Sequence, residues 1–282
     1  MKILKTLAVA GASMAIAAAA HAETRVVYKS AKSTSSYYQM AVQIAEAMKA
    51  GSNGDIIVTV EESQGSVQNV MEAAVRPGNY VFTTPPALVG AAVKAAGPFK
   101  DKGNPKFAEI RALFPIPSLT MHFVMSEKSG AKSFADLEGK TVLIGKGSFG
   151  AREGEKYLKL FGLEGKVNIA DAELSNAVAA LKNGQIDGFV TAGSWPAPNV
   201  IEAAASADVT VLSLSDDQIA ETKRSKLVIP AGTYAGQAED IVTTSLPVVA
   251  YTTSAMDDDT AYALTKTFWD EKAKMGEEAP WW

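Results

Sequence analysis

The chain has 282 residues, enough for two domains of ordinary size, and 47% of them are hydrophobic. Its formal net charge is −4 and it has no basic tract, so nucleic acid and anionic membranes are poor partners. The absence of cysteine excludes disulfides, thiolate metal sites, cysteine nucleophiles and a lipid-modified cysteine anchor.

The first 22 residues predict a secretory signal peptide. Two lysines precede an apolar run over residues 7–20, and residues 20–22 (Ala-His-Ala) fit the small-x-small rule for cleavage. The run is short for a membrane span, and nothing like a stop-transfer segment follows it. We therefore expect cleavage after Ala22 and a free protein of the bacterial periplasm.

Residues 24–97 alternate strand and helix patterns. Strands are predicted at 24–29, 56–62 and 80–84, and helices begin after them, at Ser35 or Ser36, near Ser66 and over 87–97. This order predicts a doubly wound α/β domain, whose loops at the carboxyl ends of the strands are the places for a ligand. The polar segment 98–106 is predicted to be a surface excursion.

Residues 109–117 and 119–127 predict two strands, broken by prolines that suit a crossover between domains. A second α/β unit follows, with strands at 141–144, within 166–173, at 186–192 and at 209–215, and helices after 148, over 174–185 and after 196. Residues 228–240 hold too many turn residues for regular structure. A strand at 243–256 returns to the first unit, and residues 257–259 cap a final helix.

We interpret this pattern as an α/β chain of two doubly wound lobes joined by crossover hinge strands. Residues 23–115 and 245–282 are predicted to form the first lobe, and residues 116–244 the second. The chain ends in two tryptophans, so we expect either that a helix normally follows them or that both rings pack back onto the first lobe.

Two turns that join a strand to a helix are the strongest candidates for ligand contacts. Gly65-Ser66 is the first, and the glycine-rich turn 145–150 is the second. A helix N-terminus presents free N–H groups and the positive end of the helix dipole, which together attract an anion. The prediction is that the two turns hold one small acid from opposite sides.

Two other interpretations of the second turn stay open, a dinucleotide site and a purely structural turn. The turn matches G-x-G-x-x-G, and Asp171 follows at the distance expected of a ribose-binding acid. A secreted protein, however, has little access to NAD, and Phe149 would crowd a pyrophosphate.

The remaining candidates are aromatic, hydroxyl and charged residues near these turns. Trp195 follows a strand, Arg152 lies in the first turn of a helix, and the tyrosines at 37 and 38 are either core residues or walls of a pocket. His122 lies in an apolar strand and is predicted to be a core histidine. The predicted ligand-binding residues are Ser35, Ser36, Tyr37, Tyr38, Gly65, Ser66, Asn69, Thr83, Thr84, Gly147, Ser148, Phe149, Gly150, Arg152, Ser194 and Trp195. No hydrolase motif and no carboxylate cluster for a metal occurs, so neither an enzyme nor a cofactor is expected.

Several blocks resemble successive segments of the TAXI family (TRAP-associated extracytoplasmic immunogenic proteins). They are ESQGSVQN (62–69), AEIRALFPIP (108–117), GKGSFG (145–150), NGQIDGFVTAG (183–193) and PAGTYAGQAED (230–240). The resemblance implies a two-lobed periplasmic binding protein of the second structural type. Such a protein captures a glutamate-like amino acid, a dicarboxylate or a keto acid and delivers it to the membrane permease of a tripartite ATP-independent periplasmic (TRAP) transporter. We expect a monomer.

The sequence departs from this family in three ways. One is that Thr83-Thr84-Pro85-Pro86 stands after the third strand in place of the family's usual polar residues. Family members usually have Gly-Ser-Gly-Thr where residues 147–150 are Gly-Ser-Phe-Gly, so Phe149 is expected to form an aromatic wall. The chain also stops short of the usual C-terminal segment. A sensory protein that engages a receptor, and a periplasmic enzyme built on the same lobes, remain as alternatives to transport.

Overall fold

The computed structural model describes residues 23–33, 35–146 and 148–282, so the predicted signal peptide and Gly147 lie outside the described residues. The strands of the described chain are β1 (Thr24–Lys29), β2 (Ile56–Glu61), β3 (Tyr80–Thr84), β4 (Ile110–Ser126), β5 (Thr141–Leu143), β6 (Asn168–Ile169), β7 (Gly188–Gly193), β8 (Val209–Val211), β9 (Ser225–Ile229) and β10 (Ile241–Thr253). The α-helices are α1 (Ser36–Gly51), α2 (Ser66–Ala73), α3 (Pro86–Val93), α4 (Phe149–Leu160), α5 (Ala177–Lys182), α6 (Pro198–Ser206), α7 (Asp216–Thr222) and α8 (Asp258–Glu278).

The strands form one sheet in the order β2-β1-β3-β10-β4-β7-β5-β6, with β8 beside β4 and β9 beside β10. Strand β1 is parallel to β2 and β3, and β5 is parallel to β6 and β7. The long strands β4 and β10 run antiparallel to each other between these two parallel groups. The predicted lobe boundaries fall inside these two long strands, and that division stays a prediction.

Helix α1 shows how closely local sequence and structure agree in the first parallel group. Ser35 caps the helix, because its hydroxyl accepts a hydrogen bond from the Tyr37 amide at 3.2 Å. Met40, Ile44 and Met48 recur at four-residue spacing, and all three are buried. The predicted start of this helix is therefore confirmed.

Two predictions about the middle of the chain are wrong. Residues 109–127 do not form two strands, because β4 is continuous over its 17 residues. Pro117 lies where the pairing of β4 with β10 shifts register, so its missing N–H breaks no bond of the ladder. The segment 98–106 is not wholly a surface excursion, because Phe99 is buried and packs edge-on against Phe107 at 5.8 Å.

The second parallel group is less regular than predicted. The strand expected within 166–173 has two residues, and the helix expected over 174–185 is a 3₁₀ turn followed by α5, which has six residues. Strand β9 extends to Ile229, inside the segment predicted to lack regular structure.

The two C-terminal tryptophans pack back onto the first parallel group. The indole nitrogens of Trp281 and Trp282 both donate to the Gln43 side chain, at 3.0 and 2.7 Å, and the Trp282 ring lies edge-on to Phe268.

Within the described residues, no helix is both long enough and apolar enough to cross a membrane.

Candidate functional site

A cavity of about 350 Å³ lies where strands β1, β2, β3, β5 and β7 reach their carboxyl ends. Open α/β sheets bind ligands at this edge. The volume is near the lower limit of small-molecule pockets, which measure about 300–1,000 Å³. The cavity therefore suits a small solute.

Two sets of segments face each other across the cavity. The first wall consists of lining residues from 30–39, 64–66 and 83–85, and the second wall of lining residues from 144–151, 173–178 and 190–202. Leu119 of β4 and Val248 of β10 complete the lining. Both long strands thus reach the site from the middle of the sheet.

Helix α2 begins at the first wall without a side-chain cap in the described chain. Its N-cap is Gly65, whose φ of 106° and ψ of −163° belong to a region that only glycine adopts readily. Ser66 is the first helical residue, and its carbonyl accepts a hydrogen bond from the Thr84 hydroxyl at 3.1 Å. The first N–H groups of α2 are therefore available to an anion in the cavity.

Helix α4 begins at the second wall with its own cap. The Ser148 hydroxyl accepts a hydrogen bond from the Ala151 amide at 3.0 Å. Gly150 lies against β7 so closely that a Cβ on it would be 2.5 Å from the Ala192 Cβ. The last glycine of the G-x-G-x-x-G pattern thus allows close helix–strand packing.

The acid of that pattern is also engaged by the protein itself. Asp171 forms an ion pair with Lys146 and does not line the cavity. The arrangement therefore adds no support to a dinucleotide site.

Helix α6 is held at the second wall by a buried tyrosine. The Tyr234 hydroxyl accepts a hydrogen bond from the Ala197 amide at 3.0 Å and pairs with His122 Nε2 at 2.8 Å. Burial lowers the pKa of His122 to about 4, so its ring is neutral near pH 7. His122 is confirmed as a core histidine. Sequence reasoning assigned no role to Tyr234, although it belongs to the PAGTYAGQAED block.

Asn69 supports the first wall from behind. Its amide nitrogen donates to the carbonyls of Ser30 and Thr83, at 2.7 and 2.8 Å, and the residue is fully buried. The Thr83 hydroxyl in turn donates to Tyr28 at 2.8 Å. Asn69 therefore joins the ends of β1 and β3 to α2 and does not itself line the cavity.

The two walls touch at one edge of the cavity. The amide of Ser194 donates to the Ser36 hydroxyl at 3.1 Å, and Lys32 forms an ion pair with Glu173. A Cβ on Gly193 would be 2.7 Å from the Ser36 hydroxyl, so this approach requires glycine. The start of α1 thus contacts the loop after β7 directly.

The cavity brings together nine of the predicted ligand-binding residues: Ser35, Ser36, Tyr37, Gly65, Ser66, Thr83, Ser148, Phe149 and Gly150. Six others do not line it, namely Tyr38, Asn69, Thr84, Arg152, Ser194 and Trp195. Arg152 is exposed on α4, and the Trp195 ring packs against a separate apolar cluster that includes Val200. Asn69, Thr84 and Ser194 are buried behind the walls. Gly147 lies outside the described residues.

Several lining residues were not predicted. Among them are Lys32, Gln64, Lys146, Thr191 and Asn199. The Asn199 amide donates to the Thr191 hydroxyl at 2.9 Å, which joins α6 to β7. Asn199 lies four residues beyond Trp195, in the first turn of α6.

Comparison with known proteins gives a family and a fold. The model of the NMT1-like family matches residues 29–280. A solved structure described as a periplasmic transporter is 13% identical, with a TM-score of 0.61 over 87% of this chain and 81% of that one. The periplasmic binding protein BugD is 12% identical, with a TM-score of 0.58 and the same coverage. A putative L-cystine ABC transporter from Listeria monocytogenes is 11% identical, with a TM-score of 0.54 over 90% of this chain and 95% of that one.

At these identities the likeness is one of fold. It confirms the predicted fold class, the two-lobed type II fold of periplasmic binding proteins.

Proposed function

The chain belongs to the NMT1-like family, and from this premise we propose that it is a periplasmic solute-binding protein that captures a small organic acid in the cavity between its two walls. The observation that carries the proposal is the uncapped start of α2 at a small-molecule cavity on the ligand-binding edge of the sheet. The fold shared with periplasmic binding proteins supports it.

The available contacts make binding depend on both walls. A helix N-terminus contributes roughly 0.3 to 1 kcal/mol, or up to ~2 kcal/mol when partly buried. Each charge-assisted hydrogen bond contributes about 1.5–3 kcal/mol. Micromolar affinity needs about −8 kcal/mol, so α2 and the hydroxyls of Ser36 and Ser66 require the apolar contacts of the second wall as well. Capture of the ligand and closure of the walls are then one event.

The resemblance to the TAXI blocks supports a finer proposal. The protein is exported by its leader, acts as a monomer in the periplasm, and delivers its acid to the permease of a TRAP transporter. Residues 23–115 with 245–282, and residues 116–244, are the two lobes that close on the ligand. Arg152 has no part in the proposed site, so hydroxyls and backbone N–H groups hold the carboxylate.

A thermal-shift screen tests the proposal. The purified protein is heated with amino acids, monocarboxylates, dicarboxylates, keto acids and sulfonates, because a ligand that binds only the folded state raises the melting temperature. We expect a rise with one class of acid. NAD serves as the control, and a rise with NAD alone, or with none of the acids, contradicts the proposal.

A further inference from the structure

The two walls differ in polarity. The first wall presents mainly hydroxyl and amide groups, such as those of Ser35, Ser36, Gln64, Ser66 and Thr83. The second wall is mainly apolar, and its large hydrophobic residues are Ile144, Phe149, Leu174, Val178 and Val190. A ligand that fills this cavity therefore meets polar groups on one side and hydrocarbon on the other.

The helix starts at the two walls also differ, in whether a side chain already accepts a hydrogen bond from their backbone. Helix α2, at the first wall, has no side-chain cap among the described residues. At the second wall the Ala151 amide donates to Ser148, and the Ala197 amide donates to Tyr234. The start of α2, at the first wall, therefore has no side-chain cap to compete with a carboxylate for its first N–H groups.

The charges around the cavity leave little for a second carboxylate. The lining lysines, Lys32 and Lys146, are ion-paired with Glu173 and Asp171. Glu202 adds a further negative charge, and no arginine is among the described lining residues. A carboxylate placed against the apolar side chains of the second wall would lose its hydration without gaining a cationic partner, which is costly.

We infer that the ligand carries a single carboxylate, bound at the start of α2, and an uncharged apolar body that lies against the second wall. Branched aliphatic and aryl-substituted monocarboxylic or 2-oxo acids have this chemistry, whereas glutamate and 2-oxoglutarate do not. The inference rests on the proposed function and narrows its ligand class.

Calorimetric titration of the purified protein separates the ligand classes. The probes are 4-methyl-2-oxopentanoate and 3-phenylpropanoate, compared with 2-oxoglutarate and glutarate, and 4-methylpentanamide is the uncharged control. We expect the monocarboxylates to bind at least about tenfold more tightly than the dicarboxylates, because their bodies bury apolar surface at about 0.8 kcal/mol per CH₂ group, equivalent to roughly fourfold in affinity. The amide should bind at least about tenfold more weakly than the monocarboxylates, because it lacks the charge that the helix start attracts.

The outcomes distinguish the inference from the function on which it rests. Tighter binding of 2-oxoglutarate or glutarate overturns the inference and leaves the proposed function intact. Equal binding of the amide also overturns it, since the carboxylate would then have no role. Failure of every acid to bind removes both.

A gain-of-function variant tests the second wall directly. Leu174 is half-buried and lines the cavity, so Leu174→Arg places a guanidinium where the inference puts the apolar body. We expect about tenfold tighter binding of 2-oxoglutarate and about tenfold weaker binding of 4-methyl-2-oxopentanoate. Ile169→Arg is the matched control, because Ile169 is 46% exposed on β6 and does not line the cavity. If Leu174→Arg has the same melting temperature as Ile169→Arg and still prefers the same ligands as the unsubstituted protein, the ligand body lies elsewhere and the inference is overturned.

Discussion

The starts of α2 and α4 have the same local sequence pattern, a strand followed by a small-residue turn and a helix, yet their structures differ. Gly65 has a positive φ and open space around its missing Cβ, whereas Gly150 has ordinary backbone geometry and no space. Ser148 caps its own helix, while Ser66 follows a helix start that has no side-chain cap within the described chain. The difference teaches that one local sequence pattern can give two turns that differ in backbone geometry, in capping and in how closely a neighbouring strand packs against them.

The ion pairs that anchor the two helices give the largest expected effect. Glu153 of α4 accepts two hydrogen bonds from Arg224, at 2.8 and 3.0 Å, while Glu72 of α2 is paired with both Lys29 and Arg76. Arg224→Leu should lower the free energy of unfolding by about 3 kcal/mol, because it leaves a buried carboxylate unpaired. Lys29→Leu should cost less, since Arg76 remains beside Glu72. Urea unfolding measures both, and equal losses would contradict the comparison.

The pH dependence of stability tests the support of the second wall at α6. His122 is neutral in the folded state down to about pH 4, whereas an unfolded histidine binds a proton below about pH 6.5. The unfolded state therefore binds more protons in this window, and stability falls as the pH falls. Between pH 6.5 and 5 we expect a loss of about 2 kcal/mol in urea unfolding.

His122 is the only histidine after residue 22, so its proton NMR signal is unambiguous in a chain expressed from residue 23 onwards. A ring that titrates near pH 6.5 in the folded protein would refute this account.

Substitution of the two glycines separates backbone strain from crowding. Gly65→Ala and Gly150→Ala should each cost about 1–3 kcal/mol, the first through its φ and the second through the contact with Ala192. Adding Ala192→Gly should restore most of the loss in Gly150→Ala and none of the loss in Gly65→Ala. Gly90→Ala is a control with open space in α3, and we expect it to be neutral or stabilising. Rescue of both variants by Ala192→Gly would refute the distinction.

Substitution of the two serines has the smallest expected effect on stability. It gives the sharpest contrast between the two helix starts, because one variant should change stability and the other ligand binding. Ser148→Ala removes a helix cap and should lower the free energy of unfolding by about 1 kcal/mol. Ser66→Ala removes no cap and should leave stability unchanged, but it should weaken the binding of a small acid by about 1–3 kcal/mol. Calorimetric titration with the best ligand of the screen, beside urea unfolding, measures both quantities. If Ser66→Ala lowered stability and Ser148→Ala weakened binding instead, the acid would bind at the start of α4.

Local sequence predicted the structure correctly where all the residues that determine a feature lie in one short segment. Ser35 capped α1 as predicted, and Asp257 capped α8, because a cap depends only on residues within one helical turn. Strands β1 and β3 have the predicted bounds, since their apolar and β-branched residues are bounded by turn residues. Nine of the predicted ligand-binding residues line the cavity for a related reason, as helix starts at strand ends share one edge of the sheet.

Tertiary structure decided what each of these residues contacts. The sequence presented Arg152 and Trp195 as site candidates, but helical rotation exposes the first, and apolar packing draws the ring of the second away from the cavity. It gave no sign that Tyr234, about forty residues beyond Trp195, would bond the start of α6. Contacts between distant segments depend on how the sheet joins them, so no local pattern records them. The sequence determined that the chain would form helix starts facing one edge of a sheet, and only the packed structure determined that, among the described residues, α4 has a side-chain cap and α2 has none.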